Sequence, residues 1–447
     1  MVDVTSIFDD HHPPSADLAS DCVHCGFCLP KCPTYSLWGQ EMDSPRGRIH
    51  LIKAGLAGEV EMDETFAGHF DSCLGCMSCV TACPSGVQYD QLLESVRPQI
   101  ERLQPRTGTD RLFRAMIFAL FPHPARLRVA ALAGLAHQRL SRPLLRRLGL
   151  LDRLPARLRA LEALLPPVRA GALFRRAPEF TPAQGERRAS VALLTGCAQR
   201  VFFSDVNAAT IRVLSAEGCD VHVPTNQRCC GALSMHAGRE NEGLARAREL
   251  IDTLGTLDVD HIVTNVAGCG SNLKEYATAL RDDPDYAERA EAFSARARDV
   301  SELLAELGPA APRHPVRARV AYHDACHLAH AQQVRRQPRE MLRTIPELDV
   351  VDIAEWDMCC GSAGIYNLVQ PEPADELGRR KVDNILRTDP DLVATGNAGC
   401  LLQIRRHLPD RIAIHHPISI LDASIRGVEP ELPVTAAGGN DHVHANS

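Results

Sequence analysis

The chain has 447 residues, 4% aromatics and a net charge of -7. That length leaves room for two to four domains with real cores, and the negative balance argues against a nucleic-acid binder. The N-terminus, "MVDVTSIFDDHHPPSADLAS", is polar and acidic with no apolar leader, and no apolar run approaches the ~18 residues that span a bilayer. Seventeen cysteines in such a chain point to metal binding or redox chemistry rather than to a secreted disulfide scaffold.

The first eight cysteines fall in two matched runs. "CVHCGFCLPKCP" supplies Cys22, Cys25, Cys28 and Cys32, and "CLGCMSCVTACP" supplies Cys73, Cys76, Cys79 and Cys83. Both have the ferredoxin spacing for a [4Fe–4S] cluster, in which three close thiolates hold one cluster and the fourth reaches the other. The expected ligand sets are therefore crosswise: Cys22, Cys25, Cys28 and Cys83 for one cluster, and Cys73, Cys76, Cys79 and Cys32 for the second. Proline after each fourth cysteine is expected to end or redirect the chain. Zinc, which favours paired CxxC motifs or added histidines, fits this pattern less well. Between the runs, "RGRIHLIKAGL" reads as helix, and Arg46 and Arg48 either offset cluster charge or stay solvated.

From Arg106 to Arg176 there are fifteen Arg, three acids, no Lys and no Cys. Apolar residues recur at helical spacing between prolines, so several short amphipathic helices are expected. Their apolar faces would pack on neighbouring domains. The alternative is docking of the basic face on a partner subunit or an anionic membrane.

Beyond "TPAQGERRAS" strand and helix patterns alternate. "VALLTGC" is a strand running to Cys197, "DVNAATIRVLSAEG" a helix and "CDVHVP" a strand. Cys229, Cys230 and Gly231 follow, then a helix over about 241–254 and a strand, "HIVTNVAGCG", that gives way to a loop at Cys269. The order then repeats. "RVAYHDACH" runs to Cys326, "LDVVDI" precedes Cys359, Cys360 and Gly361, a helix covers about 374–386, and "LVATGNAGC" runs to Cys400. The intervals are 32 and 40 residues in the first copy and 33 and 41 in the second. Such agreement implies two pseudo-symmetric α/β units, each bringing four cysteines to the carboxyl edge where such sheets place ligands. Cys219 has no counterpart and reads as a small buried residue. His236, His323 and His327 lie near these cysteines and read as polar neighbours more readily than as ligands. No GxGxxG or Walker loop points to NAD, flavin or ATP on this chain.

These spacings resemble the duplicated cysteine-rich "CCG" domain of heterodisulfide reductases, anaerobic glycerol-3-phosphate dehydrogenases, lactate-utilisation proteins and glycolate oxidase iron–sulfur subunits. The domain order, with "SPRGRI", "TGC", "YHDACH" and "ATGNAGCLLQI", looks most like the last of these, from about Asp21 to Arg426. The resemblance implies an α+β multidomain chain. An all-helical two-cluster module (14–104) precedes a helical connector (105–185), two α/β CCG repeats (186–312 and 313–428) and a disordered tail (429–447).

The resemblance also implies an electron-transfer subunit, inactive alone, that relays electrons from an FAD-bearing partner oxidising glycolate to glyoxylate toward a quinone or other membrane acceptor. The place would be the cytoplasm, or the cytoplasmic face of the inner membrane as a peripheral protein. In the fullest family motif each repeat has a fifth cysteine; here Val266 and Asn397 stand in its place. Cys197, Cys229, Cys230 and Cys269, and likewise Cys326, Cys359, Cys360 and Cys400, could then hold a further iron–sulfur cluster or zinc. The missing thiols count against disulfide chemistry of the heterodisulfide reductase kind. Lactate and glycerol-3-phosphate dehydrogenase complexes are the alternative settings.

Overall fold

The computed structural model describes residues 6–430 apart from 167 and 169; most of the expected tail lies outside them. It is an α+β multidomain chain, with a helical N-terminal region followed by two α/β sheets.

The helices Pro45–Leu56, Glu64–Asp71 and Tyr89–Leu103 form the first core, which buries Ile49, Ile52, Phe66, Phe70, Leu92, Leu93, Val96 and Ile100. Ser44 and Asp63 start two of them by accepting hydrogen bonds from the Gly47 and Phe66 amides, as N-caps do. Gly47 has no substitute, because a Cβ there would lie 2.0 Å from the Glu41 carbonyl oxygen. The expected helix over "RGRIHLIKAGL" is present. Pro33 redirects the chain: the turn Leu29–Lys31 stops at Cys32 and Pro33 opens the helix Pro33–Trp38, because proline at the first turn gives up an amide that would have no partner anyway.

The connector folds as short helices, including Gly108–Leu120, Pro124–Ala136 and Ala156–Ala163. Their apolar faces pack on both later units. Ile117, Phe118 and Leu164 meet Ile365, Leu368 and Val369, while Leu127 and Ala131 meet Val201.

The first sheet holds β1 (Phe180–Thr181), β2 (Ala189–Leu194), β3 (Cys219–His222), β4 (His261–Thr264) and β5 (Ala297–Asp299), in the order β1-β3-β2-β4-β5. All neighbours are parallel except β1 on β3. The second holds β6 (Ala318–His323), β7 (Leu348–Asp352), β8 (Leu392–Thr395) and β9 (Ala413–His415), in the all-parallel order β7-β6-β8-β9. Removing β1 makes the two orders the same. The register agrees too, with Ala189 opposite Cys219 and Ala318 opposite Leu348 at equal separation. Every residue of β2 is buried, as a sheet covered on both faces requires. One continuous core, running from Val191, Leu193 and Val213 to Val320, Tyr322 and Leu421, joins the copies. Arg212 closes the join on Asp422 with two contacts of 2.8 and 2.7 Å.

Candidate metal centres

The two ferredoxin-type runs share an unusual backbone. His24 and Gly26 in the first, and Gly75 and Met77 in the second, all have positive φ, and they occupy the same two positions of each run. Alternation between right- and left-handed backbone turns successive N–H groups toward one side, a concavity suited to an anion. The Gly75 amide, for one, donates to Cys73 Sγ at 3.4 Å.

Cys22, Cys25, Cys28 and Cys83 line one small cavity of about 30 Å³, which Cys79 of the other expected set also borders, with Ile49 and Tyr89. Burial pushes the Cys28 thiol up to about 11. Cys32, Cys73, Cys76 and Cys79 are buried together deeper in the module. Burial pushes the Cys76 and Cys79 thiols well up. At Cys73 burial acts the same way, but Arg48, Arg97 and the Gly75 amide prevail and hold the thiol below its ordinary value. Tyr89 Oη adds a donor at 3.7 Å.

Of the two arginines the sequence left undecided, Arg48 is the buried one, 1% exposed. It donates to the carbonyls of His69 and Asp43, both at 2.6 Å, and to Ser72 Oγ at 2.8 Å. Arg46 instead pairs with Glu41 at 2.6 Å near the surface.

In each α/β unit the four cysteines come to the carboxyl ends of adjacent strands. Cys229 Sγ lies 3.6 Å from Cys197 Sγ, and Cys230 neighbours Cys269. In the second unit Cys326 neighbours Cys359, and Cys360 neighbours Cys400. Contact with the neighbouring thiol and burial push Cys197 and Cys326 well up. Cys269, expected on a loop, and Cys400, expected at a strand end, sit in the first turns of the helices Ala267–Ala279 and Ala398–Arg405. The glycine of each Cys-Cys-Gly has φ of +88°, and a Cβ would come within 2.8 Å of the Gly243 carbonyl or 2.6 Å of that of Ala374. Only glycine turns there and lets the following helix approach.

The sites are not equally spaced through the molecule. Leu74 and Cys76 share a packed cluster with Met358 and Cys359, against which Cys326 also lies. The second unit's thiols thus adjoin the deeper ferredoxin quartet. His327, which the sequence marked as a neighbour, bridges three parts of the chain. Its Nε2 lies 3.0 Å from the Gly75 carbonyl oxygen, its Nδ1 3.4 Å from Ser271 Oγ, and its ring packs edge-on to His236 at 4.8 Å. Burial, then His236, pulls His327 down to about 3, so it is neutral. Cys219 is fully buried in the strand core, as expected.

Two side chains stand out that the motif reading did not single out. Lys381, 1% exposed, donates to the Glu355 carbonyl at 2.6 Å beside Cys359 and Cys360. Arg97 donates to the Cys73 and His236 carbonyls at 2.6 and 2.8 Å.

Comparison with known proteins matches residues 18–87 to a 4Fe-4S dicluster domain and residues 191–274 and 320–405 to a cysteine-rich domain. Residues 109–165 match the linker region of the glycolate oxidase iron-sulfur subunit. A probable glycolate oxidase iron-sulfur subunit of Bacillus subtilis is 40% identical over 86% of this chain and 88% of its own. The chain belongs to the glycolate oxidase iron–sulfur subunit family. The Escherichia coli glycolate oxidase iron-sulfur subunit is 35% identical over 90% of this chain and 93% of its own. Lactate utilization protein A of Exiguobacterium, 28% identical, covers 52% of this chain and 94% of its own. Members of this family are electron-transfer iron–sulfur subunits. The donors fit such a cofactor: eight thiols in two quartets, a small cavity inside one, and paired left-handed loops around both.

Proposed function

We propose that this chain carries electrons between an FAD subunit that oxidises glycolate to glyoxylate and a quinone or other membrane acceptor. The observation that carries the reading is contiguity. The cysteine quartet at the cavity, the deeper quartet and the thiols of the second CCG unit follow one another through packed protein, via Cys28 and Cys79 and then Cys76 and Cys359. Bound clusters would supply one-electron storage and transfer, which a two-electron substrate oxidation needs from its partners.

The chain's own residues supply the rest. Cys22, Cys25, Cys28 and Cys83 would hold one [4Fe–4S] cluster, and Cys32, Cys73, Cys76 and Cys79 the other. Arg48 and Arg97 offset negative charge at the deeper one, and Ile49, Leu93 and Phe70 keep water from it. Cys25 is exposed and flanked by Val23 and Phe27, 68% and 65% exposed, which opens one end of the route to a partner. The CCG cysteines Cys197, Cys229, Cys230 and Cys269, and Cys326, Cys359, Cys360 and Cys400, would hold metal and conduct or brace rather than cleave disulfides.

Among the described residues no helix is long and apolar enough to cross a membrane. Peripheral contact is assigned to the connector instead. Leu140, Leu144 and Leu148 are 76%, 58% and 57% exposed, amid the exposed Arg139, Arg146 and Arg147, an apolar and basic face of the kind anionic lipid attracts.

The test is reconstitution with the flavin subunit. Glycolate-dependent reduction of a quinone analogue is expected to need this chain and to be lost in Cys79→Ser. Dye reduction at the flavin subunit alone should persist. Glycolate oxidation by the purified chain, or quinone reduction undiminished after loss of both quartets, would sink the relay. Iron analysis gives an independent measure: about eight irons per chain belong to the N-terminal pair, and any excess to the CCG units.

A further inference from the structure

The duplication provides an internal control, since each position of one CCG unit has a counterpart in the other. Three residues before its first cysteine, the first unit has Leu194 and the second has His323. Leu194 packs in an apolar cluster with Cys230, Leu250 and Ile251. His323 ends β6 and is only 2% exposed, yet neither of its ring nitrogens has a hydrogen-bond partner among the described residues. A buried, unpaired polar group is costly, and native structures rarely leave one without a reason.

The usual partner for such a histidine is otherwise engaged. Asp324, next in sequence, is held by Arg339 through two contacts of 2.7 and 2.6 Å. What His323 does face is sulfur. A ring nitrogen of His323, Cys360 Sγ and Cys400 Sγ all lie within 4.8 Å of one another, and all three residues are buried. Imidazole nitrogen and thiolate sulfur are both donors that iron and zinc accept.

We propose that His323 is the fifth ligand of an iron–sulfur cluster in the second CCG unit, with Cys326, Cys359, Cys360 and Cys400. The inference rests on the reading above that these units hold metal, and deepens it by making the two units different. The first offers four thiols and no imidazole, with Arg200 near Cys197 and Cys229. The second offers four thiols and an imidazole, one donor more than the tetrahedral set a structural zinc takes. Each unit has a cation near its thiols, but from a different position: Arg200 follows the first cysteine of the first unit. Twenty-one residues after the second cysteine of the pair, the first unit has Ile251 and the second has the buried Lys381, a cation beside the thiolates. The second unit is also the one packed on Cys76. A neutral imidazole where the fullest family motif has a fifth thiolate leaves the cluster less negative, the direction in which imidazole ligation raises a potential, and this suits the unit to the electron-accepting end of the row.

The experiment uses the full chain, purified without oxygen and metal-loaded. Histidine labelled with a nitrogen isotope, read by electron–nuclear double resonance on the partly reduced protein, is expected to show a directly bonded nitrogen on one cluster. His323→Leu should abolish that signal. His323→Cys should also abolish it while keeping the wild-type iron content, which covers the case in which the leucine variant does not fold. Mössbauer spectra of isotope-enriched protein read the same site in any oxidation state, and a minority of the irons should change in His323→Cys. A nitrogen signal that survives both substitutions, no bonded nitrogen in the wild type, or zinc in place of iron at this unit overturns the proposal. Cys360→Ser separates it from the reading beneath. If iron falls in Cys360→Ser but the nitrogen is absent, only the histidine assignment fails. If iron content is unmoved by Cys360→Ser, the metal reading of the unit fails with it.

Discussion

Replacing Arg48 by methionine should lower the reduction potential of the cluster assigned to Cys32, Cys73, Cys76 and Cys79. The reasoning is electrostatic. Arg48 is a buried cation, and reduction adds negative charge beside it. Thr34 Oγ1 lies 3.2 Å from Cys32 Sγ and 3.3 Å from Arg48 Nη1, so the last two atoms are no more than about 6.5 Å apart. At an effective dielectric constant of ~20, a unit charge at that distance is worth about 2.5 kcal/mol, or about 110 mV for one electron. Spreading of the added electron away from Cys32 reduces this, so a fall of about 50–100 mV is expected.

Arg48→Met also strips donors from the His69 and Asp43 carbonyls and from Ser72, at a stability cost of about 3–5 kcal/mol for breaking a buried charged network. Arg48→Lys restores the charge and should recover most of the potential even if it recovers less of the stability. The assay is a spectroscopic redox titration of protein with wild-type iron content. An Arg48→Met protein that keeps its clusters and its potential, or whose potential rises, would refute the electrostatic assignment.

Asp299, fully buried, has its carboxyl pushed up to about 6 by burial against an ordinary value of 3.8. An acid with a raised folded-state value favours the native protein at low pH, so stability should fall as pH rises from about 4 through about 6, by up to about 3 kcal/mol. Asp299→Asn keeps a cap for the Ser301 amide and should flatten that slope in denaturation series at several pH values. Arg339→Ala leaves the 2%-exposed Asp324 carboxylate without its partner and should cost about 3–5 kcal/mol in chemical denaturation, with much of it restored by also replacing Asp324 with Asn. Leu144→Glu should weaken sedimentation with anionic vesicles several-fold without changing iron content; equal binding would remove the connector from membrane contact.

The cysteines assigned to metal stand out in the sequence because their spacing is local. Two CxxCxxC runs and two Cys-Cys-Gly turns fix their own backbone, down to the left-handed positions at His24, Gly26, Gly75 and Met77. The α/β duplication was legible for a similar reason, as equal intervals between cysteines reflect equal sheet orders. What escaped was decided by tertiary context. The strands Ala297–Asp299 and Ala413–His415 are too short to show alternation and exist because a neighbour pairs with them. Arg48 lies on a helix whose pattern did not say which arginine faces inward. Cys269 and Cys400 fall in helices because "AGC" follows a strand end at which the next helix already begins. His323 was visible beside Cys326, but nothing local could show that Asp324 is taken by Arg339 and that the histidine is left facing thiols.

Divergence between the two copies then carries more information than their likeness. Duplication supplies two equal cages, and drift alone would change both. Here the counterparts Leu194 and His323, Thr195 and Asp324, Ile251 and Lys381, and Val266 and Asn397 all differ in one sense, toward polar or charged groups in the second copy. Asn397 even turns its amide onto Cys400 Sγ at 3.3 Å. Burying such groups is costly unless each has a task, and the second copy is the one whose Met358 and Cys359 pack on Cys76. The first copy keeps an all-thiol cage with one cation, Arg200, near two of its sulfurs. The second adds polar donors around its sulfurs to the cation Lys381, a set that stabilises added negative charge, as an electron acceptor beside Cys76 must.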